Sequence, residues 1–410
     1  MKVERCKGFR DFTPQETKSF RLIENTFSDT CFKWGYSEVK TPTLEYLYLF
    51  TSAGTLTPGM LRRVYSFLDW DGWSGERVVL KPDGTIPVAR YYIDNNKKGF
   101  ARLFYVTNVF IFEETGKESR ERWQCGAELI GENSVIADCE LVMLALDVLS
   151  RLGLTGVRVT LSHAGLIKAF LDEMGLTPQE HGRLFDRILD GELKTLAHIK
   201  PDKPQLIQVL SLLLKLKGKS PGLLKNIRVM SEKIIPGLIP ALDNFIAVVD
   251  LIERTSCNYK IDLASGKGFE YYTGIIFHFD EGREIIGGGG RYDHLITQMG
   301  GMDTPAAGFA LYMDNLLRLV KAEDDKQIIA DRVLLNVTPK ALKEGFEMAT
   351  LLRKAGKIVE FTFKGQQETD YGWIIELRSK SPTFIITDRR NGRELMVDSV
   401  TELIRLLGCD

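Results

Sequence analysis

Apolar residues recur at helical spacing soon after the N-terminus. Thr13 is a predicted helix cap, with Pro14 at the first helical position and Glu16 three residues after the cap. Gly35 is the predicted end of the helix. One apolar face lies between these signals, formed by Phe20, Ile23, Phe27 and Cys31. The pattern therefore predicts an amphipathic helix packed on a core.

Short alternating or β-branched runs dominate the next 130 residues. They predict strands at residues 36–42, 64–67, 77–80, 103–112, 124–130 and 157–162. Helical patterns interrupt them at residues 86–95 and 138–152. From about 165 to 255, leucine-rich helical runs at 206–216 and 239–252 are broken by prolines. This change predicts a helical insertion inside a larger sheet domain.

Strands are predicted again at residues 259–263, 274–279 and 284–287. A helix is predicted over about 305–320, although the apolar run from Ala306 to Leu317 is also typical of a strand passing into a helix. Residues 321–326 form a charged linker. Segments 333–337, 340–356, 358–363, 384–387 and 399–407 then give a βαβ-type pattern. We therefore predict two domains, residues 1–325 with the insertion at about 165–255, and residues 326–410.

Composition restricts the function classes. The 410 residues are 44% apolar, which is enough for two or three cores. With 54 basic and 55 acidic residues, an overall basic surface for nucleic acid is not evident. The six cysteines are scattered without metal-ligand spacing, and the N-terminus lacks an apolar signal core. These features predict a cytoplasmic protein with reduced thiols, no metal site, no cofactor and no membrane span.

Two segments carry polar groups suited to a small ligand. In the turn Lys81–Thr85, the Asp83 carboxylate and the Thr85 hydroxyl can hold an ammonium group. An ordinary Asp-Gly turn with a helix cap explains the same residues. In the strand after residue 120, Gln124, Gly126 and Glu128 alternate, so they present one face.

Two glycine-rich segments are further candidates. Gly266–Gly274 contains Lys267, which can face a carboxylate, and the paired Tyr271 and Tyr272, which can form an aromatic wall. A hairpin with aromatic packing is the alternative. Gly287–Gly290 allows close approach of a ligand or of another backbone, and the following Arg291 can pair with Asp293 or meet a phosphate. The dispersed histidines form no nucleophile arrangement, so no catalytic residue is assigned.

In order along the chain, these segments resemble the class II aminoacyl-tRNA synthetases, and specifically the histidyl-tRNA synthetase family. The resemblance covers about residues 5–320. Its motifs are Lys7–Asp11, Pro42 of motif 1 at the dimer interface, Pro82–Thr85, Phe110–Gly131 of motif 2, Gly268–Gly274, Gly290–Asp293 and Gly308–Asn315 of motif 3. It implies an α+β fold: a class II-type antiparallel sheet flanked by helices, with the helical insertion and a small C-terminal α/β domain resembling a reduced anticodon-binding domain.

The departures from that family concern its arginines. In a working synthetase, the motif 2 arginine binds the ATP α-phosphate and the motif 3 arginine binds the γ-phosphate, whereas Ile111 and Asn315 stand at these positions. Lys267 replaces a third arginine that supports histidine activation. Only arginine supplies a planar fork of donors for an oxyanion. Loss of one such donor typically costs about a hundredfold or more in rate, so we expect negligible aminoacylation.

The positions that contact the amino acid in that family match it more closely than the arginine positions do. By resemblance, Asp83, Thr85 and Gln124 face the amino group of histidine, Glu128 and Tyr272 face the imidazole with Tyr271 beside them, and Lys267 faces the carboxylate. Asp83 replaces the usual glutamate, which shortens its reach. This combination is similar to the paralogous family that serves as regulatory subunit of ATP phosphoribosyltransferase.

That resemblance implies a non-catalytic subunit of histidine biosynthesis. Its partners would be a short-form catalytic subunit and a second copy in a class II-like dimer, with L-histidine as feedback effector. Residues 326–410 contain 14 basic and 12 acidic residues, so their charge is nearly balanced and does not indicate a tRNA-binding surface. The alternatives are a histidyl-tRNA synthetase with unusual motifs and a synthetase-like RNA-binding regulator.

Overall fold

The computed structural model describes most of the chain. The described residues are 3–52, 61, 63–69, 75–95, 99–112, 119–189, 210, 214, 217–219, 221–264, 271–320, 330–363, 371–378 and 380–407. They divide into two compact units, Met1–Ala322 and Glu323–Asp410. Each unit has its own cluster of buried apolar side chains.

The first unit is built on a nine-stranded sheet. Its strands, in spatial order, are β1 (Ser37–Glu38), β5 (Ala101–Phe110), β6 (Glu121–Ile130), β12 (Ala306–Tyr312), β11 (Glu284–Arg291), β10 (Ile275–Glu281), β7 (Arg158–His163), β9 (Tyr259–Asp262) and β8 (Lys217–Gly218). A small sheet has the order β2 (Leu44–Tyr46), β4 (Arg77–Leu80) and β3 (Ser66–Leu68). The pairs β1–β5 and β7–β9 are parallel. The predicted antiparallel sheet is thus a mixed sheet with an antiparallel centre.

Helices flank this sheet. They are α1 (Pro14–Lys33), α2 (Leu47–Ser52), α3 (Thr85–Asn95), α4 (Val135–Arg151), α5 (Ala164–Asp172), α6 (Pro178–Leu189), α7 (Pro221–Ile234), α8 (Ile239–Arg254), α9 (Leu295–Gln298) and α10 (Met313–Leu319). A short 3-10 turn, Pro236–Leu238, joins α7 to α8. Helices α5 to α8 lie in the chain between β7 and β9, where the insertion is predicted. None of the described helices is long and apolar enough to cross a membrane.

The first helix follows from its sequence signals. The Thr13 side chain accepts a hydrogen bond from the Glu16 backbone N–H, and the Glu16 side chain accepts one from the Thr13 N–H. This capping box satisfies two backbone donors that a helix start leaves without partners. Phe20, Ile23, Phe27 and Cys31 are buried in the main core, as predicted.

The glycine run of β11 lies between two neighbouring strands. A Cβ atom at Gly289 would lie 2.2 Å from the Gly308 carbonyl oxygen, and one at Gly290 would lie 2.4 Å from the Ile275 oxygen. Close approach of another backbone, one of the two predicted reasons for these glycines, is therefore confirmed.

Several predictions differ from the structure. The continuous helix over 305–320 is wrong, and the strand passing into a helix is confirmed, because residues Ala306–Tyr312 pair with β6 and β11 before α10 begins. The strand predicted at 36–42 is reduced to Ser37–Glu38. Strands β2, β8, β15 and β17 were not predicted. Most of the helical run predicted at 206–216 lies outside the described residues.

The second unit contains a five-stranded sheet in the order β14 (Ile358–Phe361), β13 (Arg332–Val337), β15 (Trp373–Leu377), β16 (Phe384–Asp388) and β17 (Arg393–Val397). Its helices are α11 (Leu342–Lys354), which follows a 3-10 turn at Pro339–Ala341, and α12 (Val400–Leu406). Strand β13 pairs in parallel with β14 and β15. The predicted small α/β arrangement is present in this unit.

Candidate functional site

Glu128 is the most buried acid of the site. It lies on β6, and its side chain is 1% exposed. Its Oε1 accepts a hydrogen bond from the Tyr105 hydroxyl at 3.3 Å, and its Oε2 accepts one from the Tyr292 hydroxyl. The Thr85 side chain is a third hydrogen-bond partner. Burial raises the pKa of Glu128 to about 8, although these hydrogen bonds oppose the rise. The carboxyl group therefore titrates near neutral pH.

Glycines make the room for these side chains. A Cβ atom at Gly308, directly opposite Glu128 in the sheet, would lie 1.6 Å from Glu128 Oε2. A Cβ at Gly126 would lie 2.3 Å from the Tyr105 ring. At Gly84, it would lie 2.5 Å from both the Tyr105 ring and Gln124 Nε2. The site is thus closely packed on the floor formed by β5, β6 and β12.

The turn before α3 brings Asp83 to this floor. Its Oδ1 accepts a hydrogen bond from the Ile86 backbone N–H at 2.9 Å, so Asp83 caps the helix. Burial raises the pKa of Asp83, while the backbone N–H groups of Ile86 and Thr85 lower it. The turn interpretation is therefore confirmed, and the same carboxylate borders the site.

Tyrosines surround the two acids. The Tyr271 ring centroid lies 5.2 Å from that of Tyr272 and 5.7 Å from that of Tyr292. Burial is the main cause that raises the pKa values of these three tyrosines, and the charge of Glu128 contributes to each. The Asp83 charge also acts on Tyr271 and Tyr272. A phenolic wall thus faces both carboxyl groups.

The structure brings most of the predicted site residues together. Six lie in one region around Glu128: Asp83, Thr85, Gln124, Glu128, Tyr271 and Tyr272. Lys267, the seventh, lies outside the described residues. Their assignment to histidine stays a prediction.

Three tyrosines of the site were not assigned from the sequence. Tyr105 lies opposite Gly126 in the β5–β6 register, Tyr292 follows the glycine run, and Tyr312 ends β12. Tyr292 and Tyr312 belonged to quoted motifs, but no role was assigned to either. A large aromatic residue facing a glycine on a paired strand is a signal that could have found Tyr105.

The two positions predicted to be degenerate for ATP are engaged with protein groups. The Ile111 backbone N–H donates to the Arg120 oxygen at 2.9 Å. Asn315 Nδ2 donates to the Ile285 oxygen at 2.7 Å, and its Oδ1 accepts from Arg318 at 3.0 Å.

Arg291 forms the predicted ion pair. Its Nη1 lies 3.0 Å from Asp293 Oδ1, and its Nη2 lies 2.8 Å from Asp138 Oδ1. The Arg291 side chain is only 4% exposed, so it links β11 to α4. The pairing with Asp138 was not predicted.

Comparison with known proteins gives the family. The sequence model described as histidyl-tRNA synthetase matches residues 8–316. The chain belongs to the histidyl-tRNA synthetase family. The floor strands β5, β6 and β12, with the Asp83 turn, all lie inside this matched region.

Within the histidyl-tRNA synthetase family, relatives with two different names match the whole chain. A protein of Dehalococcoides mccartyi named ATP phosphoribosyltransferase regulatory subunit is 48% identical over 406 residues, covering 99% of this chain and 98% of that protein. A histidine–tRNA ligase of Methanocaldococcus jannaschii is 31% identical over 424 residues, covering 99% and 98%.

A solved structure supports the synthetase-like fold. The structure described as an ATP phosphoribosyltransferase regulatory subunit/histidyl-tRNA synthetase from Bacillus halodurans has a TM-score of 0.77 to this chain. It covers 92% of this chain and 98% of its own, at 24% identity. This likeness concerns the fold.

Proposed function

We propose that this chain is a non-catalytic regulatory subunit of ATP phosphoribosyltransferase, the first enzyme of histidine biosynthesis, and that it binds L-histidine beside Glu128. The observation that carries the proposal is the 48% identity, over 99% of the chain, to relatives that bear the name of this subunit. The partner is a short-form catalytic subunit that becomes active and histidine-sensitive in the complex.

The pocket supports recognition of a free amino acid. It combines carboxyl groups at Asp83 and Glu128 with the hydroxyl of Thr85 and a wall of tyrosines. A carboxylate suits an ammonium group, and a carboxyl group that titrates near neutral pH can either accept from or donate to an imidazole nitrogen. The ammonium and imidazole groups of histidine therefore have matching partners in this site.

The two arginine positions support the absence of amino-acid activation. An isoleucine side chain cannot donate a hydrogen bond to a phosphate, and the Asn315 amide donates to the Ile285 backbone oxygen. Charge that develops on a phosphate during attack is normally stabilised by guanidinium or metal groups. We therefore assign the pocket to sensing, in which histidine acts by binding one conformation of the complex more tightly than another.

The deciding experiment mixes the purified chain with a short-form ATP phosphoribosyltransferase. We expect restored phosphoribosyl transfer that L-histidine inhibits, with inhibition weakened by Glu128→Ala and by Tyr272→Phe. A catalytic subunit that stays inactive in the mixture would contradict the regulatory role. Inhibition unchanged by both substitutions would contradict the histidine pocket.

Histidyl-tRNA synthetase activity is the second candidate, favoured by the full-length match to a histidine–tRNA ligase at 31% identity. Histidine-dependent exchange of pyrophosphate into ATP separates the two functions. We expect no exchange above a blank without protein, and robust exchange would favour the synthetase.

The remaining assignments follow from the same proposal. We infer a class II-like dimer, a cytoplasmic location shared with the biosynthetic partner, and no role for tRNA. Titration with tRNA at low and moderate salt tests the last of these, because phosphate-driven binding weakens steeply as salt rises.

A further inference from the structure

One row of side chains on β6 runs from the buried Glu128 to the partly exposed Arg122. Residues with even numbers share a strand face, which places Arg122, Gln124, Gly126 and Glu128 in line. Glu128 is 1% exposed, whereas Gln124 and Arg122 are partly exposed. The rise along a strand places the Arg122 Cα roughly 7 Å beyond that of Gln124. A guanidinium group therefore stands at the open end of the row.

The positive charge of Arg122 acts on the hydroxyl group of Tyr312. This residue lies directly opposite Gln124 in the β12–β6 register. Burial and the negative charge of Asp83 raise the pKa of its hydroxyl to about 12, while the positive charge of Arg122 opposes them. Asp83 and Arg122 both lie close enough to one hydroxyl to influence it. A negative and a positive group of the site thus both act on Tyr312.

The Arg122 side chain is also held in place. Its Nε–H donates to the Ser119 carbonyl oxygen at 3.1 Å. This bond fixes the side chain at the start of β6, where the strand enters the site. An ordered guanidinium loses less conformational entropy on binding a ligand than a mobile one does.

Four other cations of the same unit have protein partners of their own. Lys168 donates to the Tyr272 carbonyl oxygen at 2.7 Å. Arg10 lies 2.8 Å from Glu16 and 2.9 Å from Asp314. Lys81 is buried and donates to Thr41, and Arg291 is paired with two aspartates. Arg122 also has protein partners, and among these five cations it is the one that acts on Tyr312.

A free α-amino acid has a matching charge pattern. Its ammonium and carboxylate groups are bonded to the same carbon atom, so they need an acid and a base that are close to each other. We propose that Arg122 binds the α-carboxylate of the amino-acid ligand, while Asp83 binds its ammonium group. This inference rests on the proposed binding of histidine, and it moves the carboxylate contact from Lys267 to Arg122. Guanidinium and carboxylate groups pair through two parallel hydrogen bonds, which gives both strength and orientation.

The test combines a change in the protein with a change in the ligand. L-histidinol keeps the ammonium and imidazole groups of L-histidine but replaces the carboxylate by a hydroxymethyl group. Calorimetric titrations with both ligands are made on the wild type, Arg122→Met, Arg122→Lys and Arg318→Met. The last is the matched control, because Arg318 is an exposed arginine paired with Glu284.

We expect Arg122→Met to weaken L-histidine binding roughly ten- to a hundredfold, the size expected for a hydrogen bond to a charged group. Binding of L-histidinol should change less than twofold, which also shows that the pocket is folded. Arg122→Lys should retain part of the affinity for L-histidine, since it keeps the charge but not the planar fork. Arg318→Met should match the wild type for both ligands.

Three results would overturn the inference. Equal weakening of both ligands by Arg122→Met would show that Arg122 shapes the pocket without contacting the carboxylate. A selective loss of L-histidine in Lys267→Met, with Arg122→Met unaffected, would return the carboxylate to Lys267. A wild type that binds neither ligand would refute the proposed histidine binding itself, and that outcome is distinct from the other two.

Discussion

At the scale of single residues, Glu128 makes the stability of the candidate site depend on pH. Its carboxyl group is surrounded by hydroxyl groups and closed off from solvent. Burial raises its pKa from 4.5 to about 8. The folded protein therefore holds a proton there that the unfolded chain releases at lower pH. Stability linked to this group is fully present below about pH 4.5 and is lost as the pH rises through 8.

Replacement of Glu128 by glutamine removes this titration. We expect the difference in thermal unfolding midpoint, Glu128→Gln minus wild type, to be more positive at pH 8.5 than at pH 5. The reason is that glutamine cannot ionise. Differential scanning calorimetry of the ligand-free protein at the two pH values measures the change. A difference that stays constant with pH would show that the Glu128 carboxyl does not titrate in this range.

Gly308 allows Glu128 to occupy its site. In Gly308→Ala, the added methyl group would lie 1.6 Å from Glu128 Oε2, so the carboxyl group or β12 must move. Overpacking of this kind typically costs about 1–3 kcal/mol. We expect a loss of that size in urea unfolding, together with weaker L-histidine binding.

Gly182 provides the matched control for this substitution. It lies on the exposed surface of α6, and a Cβ atom there meets nothing within 4 Å. Gly182→Ala should stabilise the protein by up to about 1 kcal/mol, because alanine has the higher helix propensity. Equal changes in stability for Gly308→Ala and Gly182→Ala would mean that lack of space beside Glu128 does not cause the loss at Gly308.

At the scale of elements, the Arg291–Asp138 pair holds β11 against α4. Both side chains are nearly inaccessible to solvent, at 4% and 1% exposed. Burial raises the pKa of Asp138 to about 6, even though the Arg291 charge and hydrogen bonds lower it. The pair therefore only partly compensates for the removal of both charges from water.

Removal of the arginine leaves a buried carboxylate. We expect Arg291→Met to lower the free energy of unfolding by about 3–5 kcal/mol at pH 8. The loss should be smaller at pH 5, where Asp138 can take up a proton and avoid the cost. Urea unfolding at the two pH values measures both effects.

The control for this prediction is an exposed pair. Arg318 and Glu284 are 58% and 40% exposed, so Arg318→Met should cost no more than about 1 kcal/mol. A similar cost for both arginines, or a cost for Arg291→Met that does not depend on pH, would contradict the assignment of Asp138 as the uncompensated group.

At the scale of the whole molecule, the candidate site belongs to one unit. The described site residues lie within Met1–Ala322, which has its own core cluster. A unit with its own core can fold separately. We expect a chain that ends at Ala322 to bind L-histidine with an affinity within about twofold of the full-length value. Calorimetry compares the two, and loss of binding in a folded shortened chain would show that residues 323–410 contribute to the site.

The sequence alone determined those features that depend on neighbouring residues. The capping box at Thr13 and Glu16, the strand at 77–80 and the turn at Asp83 follow from local hydrogen bonding and backbone preference. The alternation of Gln124 and Glu128 along β6 follows from strand geometry. Ordered motifs also revealed the synthetase family, Glu128 itself and five of the residues that meet around it.

Contacts between groups that are distant in the chain depend on the tertiary fold. The burial that moves the pKa of Glu128, the contact of Tyr105 and Tyr292 with its two oxygens, and the pairing of Asp138 with Arg291 join residues 23 to 164 positions apart in the chain. The strand Ala306–Tyr312 likewise depends on partners that are distant in the chain. Apolar runs of this length suit a helix or a buried strand equally well, and here hydrogen bonds to β6 and β11 decide for the strand.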